Sequence, residues 1–170
     1  MKRNILVVLV LLLAVSASGL AQQSNSAEAV FDKWRQGVSA DEVSKLRFAL
    51  ATVTRRTSDE VAEMDLWAVS QAPQVVIEVQ PLYFEKLPNG EHRQERAGEI
   101  TKTTIGSSDG GSNAGDKVGL KIILPVRPNT NALEVKWVGY ANGKIQNSHT
   151  VQVWLLRDEP SESLTRVTAN

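Results

Sequence analysis

The chain has 170 residues, with 19 Lys and Arg side chains against 19 Asp and Glu, and it contains no cysteine. The lack of cysteine excludes disulfide bonds, thiolate metal sites, a cysteine nucleophile and a lipid-modified N-terminal cysteine. Because the basic residues are balanced by acidic ones and scattered along the sequence, nucleic acid is not expected as a partner.

The first 21 residues have the pattern of a secretory signal peptide. Lys2 and Arg3 precede an apolar run from Ile5 to Val15, and small residues follow it up to Ala21. We predict cleavage after Ala21, a periplasmic or secreted location and no stable membrane anchor after cleavage. An uncleaved N-terminal anchor is the alternative, because the apolar stretch approaches the ~20 residues that span a bilayer. An exported chain without disulfides indicates a bacterial envelope protein.

Residues 22–73 are predicted to be a helical segment of three short amphipathic helices. A capping pattern, in which Asn, Ser or Thr is followed three residues later by Glu, begins at Asn25, Ser39 and Thr57. Apolar residues follow each of these starts at helical spacing. The stretch from Leu46 to Thr54 also alternates and is rich in Thr and Val, so a strand is the alternative there.

Residues 74–158 alternate between apolar and polar positions and are predicted to form an antiparallel β domain. Pro125 cannot donate a ladder hydrogen bond, so its strand is expected to lie at a sheet edge or to break near its end. Asn89-Gly90 and Asn142-Gly143 are typical of tight hairpin turns. The expected strands are 74–84, 91–105 with a break at Gly98, 117–126, 132–141 and 145–157.

These elements together predict an α+β fold. Short N-terminal helices would pack on an antiparallel β-sandwich or open barrel of five to six strands, forming one globular unit. Residues 159–170 have little apolar content and are predicted to be a flexible C-terminal tail.

The second hairpin requires a β-bulge. Unbroken pairing from the Asn142-Gly143 turn would place Val135 opposite Thr150, which is one residue out of phase with the apolar face of the partner strand. Glycine inside a strand often marks a bulge, so we predict one near Gly139. The pairs expected from this bulge are Leu133 with Val151 and Val135 with His149.

No metal or cofactor is expected. The segment 106–116 is rich in Gly, Ser and Asp, but its spacing fits no EF-hand loop, and a flexible surface connection is the favoured interpretation. His92 and His149 are the only histidines. Neither lies in a zinc-binding or hydrolase motif, so neither is predicted to be catalytic.

The aromatic residues provide the only functional hint. If Leu133, Val135 and Trp137 face the core, alternation places Trp154 on the opposite face of the sheet, where Leu82 and Phe84 can join it. That face is either a docking surface for protein or glycan, or a surface covered by the N-terminal helices. We favour helix packing, because the helices need an apolar partner. The candidate binding residues are Trp137, Tyr140 and Trp154.

These features predict an exported, non-enzymatic binding or interaction protein of the bacterial envelope, whose partner is another envelope protein or a glycan. The alternative is a glycan-active protein. A carbohydrate-binding module would show two coplanar exposed aromatics, and a glycoside hydrolase would show two carboxyl groups roughly 5 to 10 Å apart in a cleft. The candidate glutamates are Glu78, Glu85, Glu91, Glu95, Glu99 and Glu134.

Overall fold

The computed structural model describes residues 26–106 and 117–168, so the predicted signal peptide and nearly all of the loop 106–116 lie outside the described residues. Within the described ranges the chain forms two helices and nine strands. The helices are α1 (Ala27–Gln36) and α2 (Ala40–Ser44). The strands are β1 (Leu46–Arg56), β2 (Val61–Ser70), β3 (Gln74–Lys86), β4 (His92–Arg96), β5 (Thr101–Gly106), β6 (Lys117–Pro125), β7 (Ala132–Ala141), β8 (Lys144–Trp154) and β9 (Ser161–Thr168).

The strands form two antiparallel sheets. The first sheet has the order β6-β2-β1-β9, and the second has the order β4-β3-β7-β8. Strand β5 also pairs with β3, so β4 and β5 follow one another along the same edge of that long strand. The α+β fold with short N-terminal helices and a sandwich-like arrangement of antiparallel sheets is therefore confirmed.

The main core lies between the two sheets. Phe48 and Leu50 of β1 contribute to it from the first sheet, and Val135 and Trp137 of β7 contribute from the second. The rings of Phe48 and Trp137 have centroids 4.3 Å apart. Burial of such apolar side chains is the dominant stabilising term in a chain that has no disulfide.

A second apolar cluster lies on the outer face of the first sheet, under helix α1. Ala27 and Phe31 of the helix pack with Ala49 and Val53 of β1. Asp65 of β2 fixes the start of the helix, because its Oδ2 accepts the backbone N–H of Ala27 at 2.9 Å. A carboxylate at this position pairs with a free helical N–H and with the positive end of the helix dipole.

The second predicted helix is wrong beyond Lys45, and the third predicted helix is wrong throughout. The stretch 46–54 forms β1, so the strand alternative was the correct one, and the residues after Thr57 form β2. Strand β1 is buried on both faces, by the second sheet and by α1, so its residues from Phe48 to Thr54 are all buried. A short apolar run of this kind does not distinguish a buried strand from a helix by periodicity alone. Thr57 is not a helix cap, because its N–H and hydroxyl both donate to the carbonyl of Val61 in a hairpin turn.

The first two helix starts are close to prediction. Helix α1 is capped by Ser26, whose hydroxyl accepts from the N–H of Ala29 at 3.2 Å. Helix α2 has the predicted capping box between Ser39 and Glu42. The backbone N–H of Ser39, together with its hydroxyl, lowers the pKa of the Glu42 carboxyl.

Strands were predicted well between residues 74 and 154. The segment 91–105 breaks around Gly98 into β4 and β5, and Pro125 ends the edge strand β6, both as predicted. Asn142 and Gly143 have left-handed backbones with φ of 51° and 70° and close the second hairpin. The first hairpin has a longer loop, because β3 and β4 pair only up to Lys86 and His92.

The β-bulge is present beside Gly139, but on the partner strand. Gly139 pairs with Asn147 and Tyr140 pairs with Ile145, so the extra residue is Gln146 of β8. The predicted register is therefore wrong by two residues. The observed pairs, Val135 with Val151 and Leu133 with Val153, place apolar side chains opposite one another in the core.

The predicted flexible tail is wrong for residues 161–168. They form β9, which pairs antiparallel with β1 at the edge of the first sheet. Leu164 packs on the cluster beneath α1, and Val167 packs on the main core. The strand is held by pairing with β1 and by two half-buried side chains. Its low apolar content was therefore not a sufficient reason to predict disorder. Strands β1, β2 and β9 raise the strand number above the predicted five or six.

Candidate functional site

An aromatic group lies on the outer face of the second sheet. The ring of Trp154, at the end of β8, meets the ring of Phe84 edge-on, with centroids 5.5 Å apart and an interplanar angle of 81°. Phe84 in turn contacts the imidazole of His92, with centroids 5.0 Å apart. Trp154 is 47% exposed. We call Phe84, His92 and Trp154 the aromatic patch.

The sheet register explains why these three side chains meet. Leu82, Ala132 and Trp154 occupy one cross-strand row, and Phe84 is the next residue along on the same face of β3. Leu82 is 2% exposed although it does not face the core between the sheets. The patch therefore has a small apolar base of its own on the outer surface.

A hollow of about 280 Å³ adjoins the aromatic patch. Its lining combines apolar, amide and charged side chains, and Leu82 belongs both to the lining and to the row that ends at Trp154. Neighbouring strands lie about 4.8 Å apart, so the backbone of Trp154 is about 10 Å from that of β3, and its ring spans this distance to reach Phe84. The other lining residues are Gln80, Gln94, Glu95, Arg96, Ile100 and Glu134.

The hollow exists because β4 and β5 do not join smoothly. The carbonyl of Pro81 accepts from the N–H of Ala97 at 2.8 Å, so the backbone of Pro81 is directed toward this edge. Proline has no N–H, so the second hydrogen bond of this pair cannot form. The ladder breaks at this point, and the side chain of Gln80 fills the gap. Its amide nitrogen donates to the carbonyls of Gly98 at 2.8 Å and Pro81 at 3.0 Å.

Charges of both signs surround the patch and the hollow. Glu78 lies between Lys102 and Lys136, with oxygen–nitrogen distances of 3.2 and 3.7 Å. Arg96 and Glu134 lie on the same face, nearer the hollow. A surface of this kind, apolar at its centre with a mixed charged rim, is typical of protein interaction sites.

The candidate binding residues are not brought together. Trp137 is 2% exposed and packs on Phe48 in the main core, so it cannot stack on a ligand. Tyr140 is half-buried and lies eight residues along β7 from Ala132, the partner of Trp154. That spacing corresponds to about 27 Å, so Tyr140 and Trp154 do not form one platform.

The expectation that the helices cover Trp154 is wrong. Helix α1 packs on the first sheet, and the indole rings of Trp34 and Trp67 join the cluster beneath it. Arg166 of β9 lies over the ring of Trp34 at 5.3 Å. No described helix lies on the outer face of the second sheet, so Trp154 stays accessible in the described part of the chain.

The sequence pattern alone did not indicate that His92 or the hollow belongs to a site. His92, Gln94 and Arg96 are spaced two residues apart and share the outer face. This placement is known only from the pairing of β4 with β3. Pro81 inside a long apolar strand was the available signal for the ladder break, since proline interrupts pairing.

In residues 26–106 and 117–168, no group of three His, Cys, Asp or Glu side chains is arranged to hold a metal ion. Within the same ranges, neither helix has the length and apolar character needed to cross a bilayer. Comparisons with protein-family models, curated proteins and solved structures return no match to this chain.

Proposed function

We propose that this chain is an exported, non-enzymatic binding protein of the bacterial envelope, which contacts its partner through the aromatic patch. The observation that carries the proposal is Trp154, exposed on a sheet face that no described helix covers and supported edge-on by Phe84. Export is supported by the charge, apolar and small-residue order of residues 1–21.

The partner that this surface favours is another protein. Tryptophan is enriched at the centres of protein interfaces, where it combines a large apolar area with few rotatable bonds. The ring of Trp154 is already held by Phe84, so less side-chain freedom is lost on binding. Glu78 offsets the charge of one of its two neighbouring lysines, and Glu134 offsets that of Arg96, so the rim attracts no single sign of charge strongly.

Acrylamide quenching of tryptophan fluorescence tests this proposal. All four tryptophans lie in the described residues, and Trp154 is the one that is exposed rather than buried or half-buried. The full chain is expressed, its soluble form is purified, and envelope protein fractions are titrated in. We expect one fraction to protect the quenchable component, and Trp154→Phe to remove that component.

Two alanine variants then measure the binding. Trp154→Ala is expected to weaken binding by at least about tenfold, the range typical of an interface hot spot. Ile123→Ala is the matched control, because Ile123 is also a large exposed apolar side chain but lies on β6 of the first sheet. Equal binding by Trp154→Ala and the unmodified chain would contradict the proposal.

Glycan binding is the second candidate, and the hollow supports it. Amide, carboxylate and guanidinium groups beside an exposed tryptophan are groups that can bind sugar hydroxyls and an apolar sugar face. The aromatic rings are perpendicular rather than coplanar, so a single sugar ring would stack on Trp154 alone. Soluble cell-wall glycan fragments in the same quenching titration distinguish this candidate from a protein partner.

The hydrolase version of the glycan alternative has less support from the geometry. Glu95 and Glu134 border the same hollow, but Glu95 alternates with Gln94 and Arg96 and so projects to the face opposite Glu134. Glu95 also pairs with Arg93 on its own strand. These two carboxylates do not form the facing pair that glycoside hydrolysis uses.

A further inference from the structure

The free edge of β8 differs from the other sheet edges in the described residues. From Ile145 to Leu156 the sequence has no Lys, Arg, Asp, Glu or Pro. Sheet edges are normally protected against pairing with other chains by charged side chains or proline. Strand β6 carries Lys121 and ends in Pro125, and β9 carries Glu162 and Arg166. Strands β4 and β5 carry Arg93, Glu95, Arg96 and Lys102.

The hydrogen-bonding groups of this edge can be assigned from the ladder. Leu155 donates its N–H to the carbonyl of Asn131 across the β7–β8 pair, at 2.9 Å. Hydrogen-bonded pairs alternate along an antiparallel ladder, so the odd-numbered residues of the regular segment bond to β7. Thr150 and Gln152 therefore direct their N–H and C=O groups away from β7. The carbonyl of Trp154, at the end of the strand, is already bound, because it accepts from the hydroxyl of Thr54 in the first sheet.

We infer that a second copy of this chain pairs with β8 through this edge, antiparallel and about a two-fold axis at Val151. A second copy presents an identical uncharged edge. The full chain has 19 basic and 19 acidic side chains, and the predicted cleavage removes only Lys2 and Arg3, so two copies repel weakly at long range. The partner in this inference is the chain itself, so the inference does not depend on what the aromatic patch binds.

The regular part of the strand sets the register of this pairing. The bulge at Gln146 limits unbroken pairing to residues after Asn147, and the segment 148–154 is centred on Val151. Thr150 of one copy then exchanges hydrogen bonds with Gln152 of the other. Val151 lies opposite its own symmetry mate as a non-hydrogen-bonded pair, in which side chains approach most closely. Val151 is half-buried and packs on the main core, so the pairing extends that core across the edge.

Light scattering on the purified soluble form of the full chain tests the pairing. We expect twice the molar mass of one chain. Thr150→Lys places a charge on the edge without removing a core side chain, and should return the mass to that of one chain. Thr104→Lys is the matched control, because Thr104 is an exposed threonine on the same face at the opposite edge of the second sheet. This variant should remain a dimer.

A single cysteine tests the register independently of whether the lysine variant folds. The chain has no cysteine of its own. At a non-hydrogen-bonded antiparallel pair the Cα atoms lie about 4.5 Å apart, which is within the range that a disulfide spans. Val151→Cys should therefore cross-link to a species of doubled mass under mild oxidation. Ile123→Cys, exposed on β6, should not.

A monomeric unmodified chain that also fails to cross-link through Val151→Cys would overturn the inference. A dimer that persists in Thr150→Lys and does not cross-link through Val151→Cys would also overturn it, because such a dimer would use another surface.

Discussion

At the scale of single residues, the contact between Trp67 and Gly119 shows how a side chain on one strand determines its neighbour. Gly119 lies opposite Trp67 in the β2–β6 pair. A Cβ added at Gly119 would lie 2.8 Å from two atoms of the indole ring. The ring is also packed on the cluster beneath helix α1, so it has little freedom to move away. Glycine is needed here for close approach rather than for backbone conformation.

We predict that Gly119→Ala lowers the free energy of unfolding by about 1 to 3 kcal/mol, the usual cost of overpacking. Urea denaturation monitored by circular dichroism measures the change. Gly37→Ala is the control, because a Cβ there would meet only the carbonyl of Trp34, at an ordinary distance of 3.5 Å. A stability of Gly119→Ala equal to that of Gly37→Ala would show that the indole ring moves freely.

At the scale of elements, the break between β4 and β5 depends on a side chain that replaces backbone pairing. Pro81 removes a donor from β3, and Gln80 supplies its amide to the two carbonyls at the gap. Gln80 is 7% exposed, so water cannot readily replace its amide. One buried glutamine therefore ties the two sides of the strand break together.

Gln80→Leu should lower the free energy of unfolding by about 1 to 3 kcal/mol. The carbonyl of Gly98 loses the amide donor, and the carbonyl of Pro81 keeps only the N–H of Ala97. Hydrogen exchange should also become faster in β5 and in residues 97–100, next to the lost bonds. Gln152→Leu is the control, since Gln152 lies in the same cross-strand row through Glu134 but is exposed. Similar losses in both variants would show that the amide bonds of Gln80 contribute little.

At the scale of the whole molecule, β9 closes the first sheet from the far end of the sequence. It covers the edge of β1, the strand that contributes to both apolar clusters. The hydroxyl of Thr54 donates to the carbonyls of Trp154 and Ser161, so it ties β1 to the connection that crosses from the second sheet to β9. The last strand is therefore part of the packing of the sandwich.

Truncation after Pro160 should lower the free energy of unfolding by at least about 3 kcal/mol, because it removes a full strand ladder and exposes the apolar contacts of Leu164 and Val167. Thermal unfolding measures the change. Deletion of residues 169–170 alone is the control and should have no effect. Unchanged stability after the longer truncation would mean that β9 is dispensable.

Features that depend on local chemistry could be predicted from the sequence. The caps of α1 and α2, the turn at Asn142-Gly143 and the alternating strands from residue 74 onward each depend on a few adjacent side chains. The presence of a bulge beside Gly139 could also be predicted, but its strand and the register could not, because the extra residue is Gln146 of the partner strand. These features were sufficient to predict the fold class.

Which faces are covered depends on contacts between residues that are far apart in the sequence. Strand β1 was misread because helix and sheet bury it from both sides, and β9 was missed because its stability comes from pairing with a strand more than a hundred residues earlier. Contacts between distant residues also place α1 on the first sheet, and Trp154 is left exposed on the second. Burial is a property of the whole packing arrangement, so periodicity could propose the aromatic residues but could not separate Trp137 in the core from Trp154 on the surface.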